Sequence, residues 1–400
     1  MQLTKYQLSD IIFSRLQQAN GLNDVLQATL NAMMKVERQA EVESQPDNKA
    51  NGYRPGRVYG HGQIMELRIP RDRNGAFYPK ILALLRAQQT ETERLVSALY
   101  GKGLTQQQIG EVFDELYGRH YSSSTISRMI EWMREEIGQW LARPLLAYYP
   151  IVYVDGFHVK VRRDRVASEV FYVVLAVTPE GKREVLTIAH MPTEGARGWG
   201  QVAAELRRRG LKHIGLLVAD GLPGLDGAIS EHLNIGGFQR CVTHLKRDLL
   251  ARVRTEDKPA LAEDLKWVFC TDDRYDDPEA GWRRWQHVCR RWSYKYKKFA
   301  DMATNPDYQP CFTYLSYDYR IRSMIYTTNW IERLNRDFRR VMRIRGSMPD
   351  EDSVITLMGY VAREKQAWNR KLPNLHNDNK LFANRDSGEV PPPGDITLDN

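Results

Sequence analysis

Between residues 150 and 192 the chain carries three apolar, β-branched runs in succession, PIVYVDGFHVKV, EVFYVVLAVT and REVLTIAHM. Only the short charged or glycine-containing turns RRDRVAS and PEGK separate them. This pattern predicts an antiparallel three-strand meander. The periodicity then changes. A helix is expected over Ala196–Arg209, a fourth strand in HIGLLVADG, a short helical piece over Leu225–Leu233, a fifth strand around Phe238, Gln239 and Arg240, and a further helix from near Cys241. The order βββαβαβα restricts the core to an α/β sheet that begins with a meander and continues through helical connections.

That order is the ribonuclease-H-like arrangement, and the acidic positions give the analogy chemical content. Asp155 interrupts an apolar strand that continues through Val159 and Val161, where a carboxylate without compensation is costly. The glycine after it leaves room for close approach of backbone or ligand. Asp220 closes the strand LLVADG; Asp-Gly is also a common turn, so by itself it leaves function and turn equally open. Glu332 stands in a helix with Arg333, Arg336, Arg339, Arg340, Arg343 and Arg345. A surface ion pair with Arg336 at i,i+4 accounts for it as simply as metal ligation beside phosphate does. Three carboxylates suit hard divalent cations, and phosphodiester cleavage on such a fold uses two of them about 3.5–4 Å apart.

The flanks point to a polyanionic partner. Residues 3–37 have helical spacing, suited to a small bundle or a dimerisation element, and 38–60 turn polar and read as a linker. A short β element follows around Ile64–Ile69, ending in a turn at Arg73, Asn74 and Gly75. The pattern from Lys80 to Glu136 is helical and includes a helix–turn–helix cadence. Thr105 caps the first helix there; Tyr121, Ser122 and Ser123 form the turn, and Ser124 caps the second helix. That second helix offers Ser123, Thr125, Ser127 and Arg128 to phosphates and base edges, although an ordinary helical hairpin fits the same spacing. Residues from about 250 to 314 are helical and tryptophan-rich; RRWQHVCRRWSYKYKK holds seven Lys/Arg and no carboxylate. Trp285, Trp292, Tyr294 and Tyr296 could serve as a base-stacking surface or as the core of that segment. The formal net charge of +8 agrees with a nucleic-acid partner. Four scattered cysteines without a CxxC pair argue for reduced thiols. With neither a signal peptide nor an apolar run of about 18 residues, a cytoplasmic protein with no membrane span is expected.

The stretches VYVDGFHVKVR, VADGLPG, CVTHLKR and YTTNWIERLNRDFRRVMRIRG resemble, in matching order over about residues 90–345, the signature blocks of bacterial insertion-sequence transposases of the Mutator-like class. GQIMELRIPRDRNGAF resembles the N-terminal region of that class, and Trp330 departs from it, standing where many relatives carry a small residue. The resemblance implies a DDE enzyme with a ribonuclease-H-like α/β catalytic domain interrupted by an all-α insertion and preceded by mostly helical N-terminal DNA-binding domains. It makes Asp155, Asp220 and Glu332 the catalytic and metal-binding triad, with two Mg²⁺ (or Mn²⁺) ions as cofactor. The 112 residues from Asp220 to Glu332 are then accounted for by the insertion.

Read from periodicity and composition, the expected organisation is a helical region over 1–45, a linker and small β element over 46–90, and a helix–turn–helix domain over 91–145. The catalytic core follows over 146–250 and 315–370, split by an insertion over 251–314, with a disordered tail over 371–400. His244, Asn329, Arg333, Arg336, Arg340 and Arg343 are expected to contact DNA, with Cys241 and His244 supporting the site. Cys241–His244 is half of a zinc spacing with no second half, and His158 is read as structural or DNA-facing. Glu184, Glu194, Glu205 and Asp226 are expected to be solvated or capping. The expected partner is double-stranded DNA, both element ends and target, bound by a homodimer or larger assembly at the bacterial nucleoid. A nuclease or resolvase that cleaves without joining remains a second reading. A DNA-binding regulator using the helix–turn–helix alone is a third.

Overall fold

A computed structural model describes residues 13–365 apart from 15, 18–20, 46, 61–62, 118–121, 192–194, 223 and 274. The expected N-terminal helical start, the turn residue Tyr121, Glu194 and the expected tail over 371–400 lie outside the described residues. The chain divides into two compact units, Met1–Met133 and Arg134–Asn400.

In the first unit, helix α1 (Gly21–Ser44) is followed by strands β1 (Ala50–Gly60) and β2 (Gln63–Asp72), then by α2 (Lys80–Gly101) and α3 (Gln106–Tyr117); α4 (Ser123–Leu141) crosses the division between the units. Met65, Leu67 and Ile69 alternate on one face of β2 and are buried with Met34 of α1 and Leu82 of α2. The supposed linker is therefore corrected: residues 50–60 form a strand in antiparallel register with β2, from Ala50 opposite Asp72 to Gly60 opposite Gln63. Its Gly, Pro and Arg residues have little strand propensity, and pairing with β2 overrides that. Gly56 lets Ile69 pack against the β1 backbone, since a Cβ there would lie 2.2 Å from Ile69 Cδ1. Thr105 caps α3 as expected: its Oγ1 accepts from the Gln108 N–H at 3.2 Å, and Gln108 Oε1 accepts in return from the Thr105 N–H at 2.9 Å. For α4 the first turn begins at Ser122 rather than Ser124, with the Thr125 N–H donating to the Ser122 carbonyl.

The second unit is built on a six-stranded mixed sheet. Its strands are β3 (Tyr148–Arg162), β4 (Val166–Val177), β5 (Arg183–His190), β6 (His213–Ala219), β7 (Asn234–Ile235) and β8 (Phe238–Arg240). The order is β5-β4-β3-β6-β7, with β8 also pairing β6. β3–β4–β5 are antiparallel and β6 joins β3 in parallel, which is compatible with a ribonuclease-H-like domain. Helices α5 (Ala196–Arg208) and α6 (Leu225–Ser230) cover one face through Trp199, Ala203, Leu206 and Ile229, against Val152, Val154 and Leu217.

After β8 come α7 (Val242–Ala251), α8 (Lys258–Val268), α9 (Pro278–Ser293), α10 (Lys298–Met302) and a 3₁₀ stretch, Pro306–Ser316; no strand occurs there among the described residues. The chain returns through α11 (Tyr319–Ile325), α12 (Asn329–Arg345) and α13 (Glu351–Glu364). Trp285 and Trp292 are buried, the first donating to the Met302 carbonyl and the second to Asp264. Tyr296 donates to Asp257. Of the four aromatics considered for base stacking, Tyr294 alone stands free, at 97% exposure. The other three bind the helices of this segment together.

All four cysteines are free thiols. Among the described residues no helix is long and apolar enough to cross a membrane.

Candidate active site

The parallel register of β3 and β6 decides which carboxylates meet. Val154 pairs with Ala219, the last residue of β6. The next residue on each strand is an aspartate, so Asp155 and Asp220 become neighbours where β6 ends and β3 runs on. β8 ends beside β6, with Ala219 opposite Arg240, and the Cys241 N–H donates to the Ala219 carbonyl at 2.7 Å. α7 therefore starts at the same edge and brings His244 towards Asp220. The opening beyond the carboxyl ends of strands is where sheets of this kind hold ligands.

α12 lies on the other side of the sheet from α5. Ile331, Leu334, Phe338 and Val341 recur at helical spacing and are buried, and Phe338 meets Phe157 of β3 edge-on at 5.6 Å. Alternation along β3 puts Asp155 on the same face as Phe157. The helix then sets Glu332 on the wall of a cleft of about 950 Å³, shared with Asp155, Asp220, His158, Glu169, His244, Arg247, Asn329, Arg333, Arg336 and Arg339. His158 falls on the opposite face of β3 by alternation and still borders this cleft. Gly156 keeps the strand narrow next to Asp155: a Cβ there would sit 3.2 Å from both the Tyr172 ring and a Val170 methyl.

The three carboxylates have different surroundings. Asp155 is 6% exposed, and its Oδ2 accepts from Asn335 Nδ2 at 2.8 Å. Burial raises its pKa to about 6; the carboxylates of Glu332 and Asp220 push the same way, and His244 opposes them. Asp220 is partly open, with Oδ1 accepting from the Gly221 N–H at 2.7 Å and Oδ2 lying 3.8 Å from His244 Nδ1. Glu332 faces Arg247 at 3.3 Å. The His244 imidazole is pushed up to about 9, chiefly by the Cys241 side chain and further by Asp220 and Asp155, against the effect of burial. Cys241 itself is fully buried, its thiol 3.4 Å from the Thr328 hydroxyl and accepting from the Thr328 N–H. It anchors the start of α12 to the start of α7 and is closed to solvent.

Among the described residues, no three acidic, imidazole or thiol groups stand close enough together to hold a metal ion as they are. The donors are nevertheless of the right kind, hard carboxylate oxygens around one opening, and Glu332 is paired with Arg247. A fourth carboxylate, Glu169, also borders the cleft but is taken up by Arg163 at 2.9 Å and His190 at 2.7 Å, and the Arg163 guanidinium holds it below the usual carboxylate range.

Several expectations are corrected. Thr125 is 2% exposed, because it sits on the α4 face shared with Ile126 and Met129; it cannot reach a nucleic acid, whereas Ser123, Ser127 and Arg128 are exposed. Glu184 is not solvated: it accepts from Tyr149 and from Arg143 Nη2 at 2.9 Å. Glu205 is a surface partner of Arg208, and Asp226 lies in the first turn of α6. Arg336, Arg340 and Arg343 line a groove with Arg339 and Ile344, and Arg336 and Arg339 border the cleft as well. Trp330 is buried and stacks over the Arg183 guanidinium, 3.5 Å from the ring centre. The contact of Asn335 with Asp155 escaped sequence reasoning; its one signal was spacing, three residues after Glu332 on the same helix.

The model of the family described as "Transposase, Mutator family" matches residues 3–371. Among curated relatives, the transposase for insertion sequence element ISRM3 of Rhizobium meliloti (strain 1021) is 32% identical over 349 residues, 86% of this chain and 85% of the relative. The transposase for insertion sequence element IS905 of Lactococcus lactis subsp. lactis (strain IL1403) is 30% identical over 342 residues, 86% of each. The transposase for insertion sequence element IS1201 of Lactobacillus helveticus is 28% identical over 362 residues, 90% of this chain and 95% of the relative.

Proposed function

The chain belongs to the Mutator family of transposases, enzymes that cut and rejoin DNA, and on that premise we propose that Asp155, Asp220 and Glu332 are its catalytic carboxylates. They act on the ends of its own insertion sequence and on target DNA, at the nucleoid in the bacterial cytoplasm. One observation carries this reading: a strand, the residue after a neighbouring strand, and a distant helix deliver one carboxylate each to a single cleft walled by arginines. The sheet order is that of a ribonuclease-H-like core, and the helical segment between Asp220 and Glu332 is its insertion. The N-terminal unit binds the terminal repeats through α3 and α4, with Ser123, Ser127 and Arg128 as the contacts left open there.

Asp155, Asp220 and Glu332 are the residues that would hold two Mg²⁺ or Mn²⁺ ions. Such ions, when bound, polarise the scissile phosphodiester and activate the attacking oxygen. The protein's own groups do the rest. His244, its pKa pushed up to about 9 by Cys241, Asp220 and Asp155, stands beside the carboxylates, and Cys241 fixes the helix from which it projects. Arg333, Arg336 and Arg339 neutralise the phosphates flanking the cut and orient them through their planar donor edges. Arg340 and Arg343 continue this surface along the helix, and Asn329 contacts the strand near its start. Water supplies the first oxygen nucleophile, releasing a 3′-hydroxyl that then attacks target DNA, with no covalent link to the protein. Work at two element ends calls for at least a homodimer.

The test compares wild type with Asp155→Ala, Asp220→Ala and Glu332→Ala for Mg²⁺- or Mn²⁺-dependent cleavage and strand transfer on DNA carrying the element's ends. Each variant is expected to lose both reactions while still binding those ends. Wild-type cleavage without joining supports a nuclease instead. Binding with no metal-dependent chemistry supports a regulator.

A further inference from the structure

We infer that Asn335 is a positioning residue for Asp155, holding one oxygen of that carboxylate so that the other is presented to the cleft; this rests on the triad reading above. Asn335 lies three residues after Glu332, so both project from neighbouring sides of α12, one to the cleft wall and one beneath it. It is 1% exposed and donates from Nδ2 to Asp155 Oδ2 at 2.8 Å. The same helix thus delivers one acidic residue and orients another that is 180 residues away in the chain.

A bland explanation is that Asn335 only fills space in the helix–sheet contact. Its surroundings argue otherwise. The buried face of α12 is otherwise made by Trp330, Ile331, Leu334, Phe338 and Val341, all of them apolar or aromatic. Asn335 Oδ1 is buried and has no hydrogen-bond partner. A half-satisfied buried amide lowers stability, so the residue's use lies in its satisfied half, the donor to Asp155. An amide suits this task. It donates to a carboxylate without adding a charge to a cluster that already holds three acids, as a lysine or arginine would. Groups that orient metal-binding side chains from behind work in this way.

The seat of α12 does not depend on Asn335. Trp330 anchors one end over Arg183, Cys241 holds Thr328, and Phe338 packs on Phe157. Removing the amide is therefore expected to free the Asp155 carboxylate without releasing the helix.

The test uses the full-length protein. Asn335→Leu replaces the amide with an apolar group of similar size, and Asn335→Ala removes it and leaves a small void. Mn²⁺ binding is followed by electron paramagnetic resonance of the free ion, alongside thermal unfolding, affinity for the element ends, and the Mn²⁺ dependence of cleavage. At least one variant is expected to keep the wild-type fold and DNA affinity while binding Mn²⁺ about tenfold or more weakly; the concentration needed for half-maximal cleavage should rise in step. Wild-type Mn²⁺ affinity in a folded variant overturns the proposal. Loss of the fold in both variants also overturns it, since the residue would then be holding the structure. Asp155→Ala is run in parallel. If that variant binds Mn²⁺ and cleaves normally, the triad reading itself has failed. If it loses both while a folded Asn335 variant behaves as wild type, only the positioning role has.

Discussion

Single side chains in this protein carry more of the tertiary connection than their positions in the sequence suggest. Arg322 in α11 is fully buried and donates from Nε to the Tyr317 carbonyl, from Nη1 to Asp273, and from Nη2 to Asp276 and Leu315, all within 2.7–2.9 Å. It closes the helical segment after β8 against the chain that leads back to α12. An isolated buried cation is costly, and here four carbonyl dipoles surround it. Arg322→Met would leave those carbonyls buried and unpaired, at about 1–3 kcal/mol for each that cannot relax towards water. A loss of roughly 3 kcal/mol or more is expected in urea unfolding; a change under 1 kcal/mol would show that water or other donors already satisfy them. Asp155 is the opposite case. Its carboxylate is held where burial raises the pKa to about 6, a setting unfavourable to the charged form.

At the scale of elements, α12 does the most. Its apolar stripe seats it on β3, Glu332 and Asn335 project towards Asp155, and its outer surface is rich in arginine. From Arg333 to Arg343 the helix runs about 15 Å at 1.5 Å per residue, long enough to follow several phosphates of a bound strand. Arg340→Gln and Arg343→Gln remove charge away from the carboxylates. Each is expected to weaken DNA binding without regard to sequence and to reduce the slope of log affinity against log salt by roughly one. Unchanged slopes in both would place the DNA elsewhere on the surface. The β1–β2 hairpin teaches a different lesson about elements. β2 announced itself by alternation, whereas β1, with its glycines, proline and arginines, becomes a strand only because β2 supplies a partner edge.

For the whole molecule, two units with separate cores imply two cooperative events. The first core centres on Met34, Leu67 and Leu82, and the second on the sheet with Trp199 and Leu217. Calorimetry of the full chain is expected to resolve two transitions, and Mn²⁺ should raise the one belonging to the sheet, because a ligand stabilises what it binds. The rise should reach about 2–3 kcal/mol at one hundred times the dissociation constant and should disappear in Asp155→Ala. An equal shift of both transitions in that variant would mean the ion binds outside the carboxylate cluster.

Much of this architecture was legible in the sequence, because strand alternation, apolar runs and cap residues are local properties. The order of strands and helices around the sheet (apart from the two-residue β7), the cap at Thr105 and the isolation of Asp155 within an apolar strand could all be read from neighbours a few residues apart. What that reading could not reach was whatever depends on which surface packs on which. Thr125 looked like part of a reading face and is buried. Trp285 and Trp292 suited a stacking surface or a core equally in the sequence, and only their packing partners show that they are core. Spacing alone does not distinguish Asn335 from the other polar residues of a basic helix; only the docking of α12 on β3 turns it towards Asp155. Local periodicity determines where a side chain can point. The long-range contacts that bury it, made between residues far apart in the chain, decided what it meets.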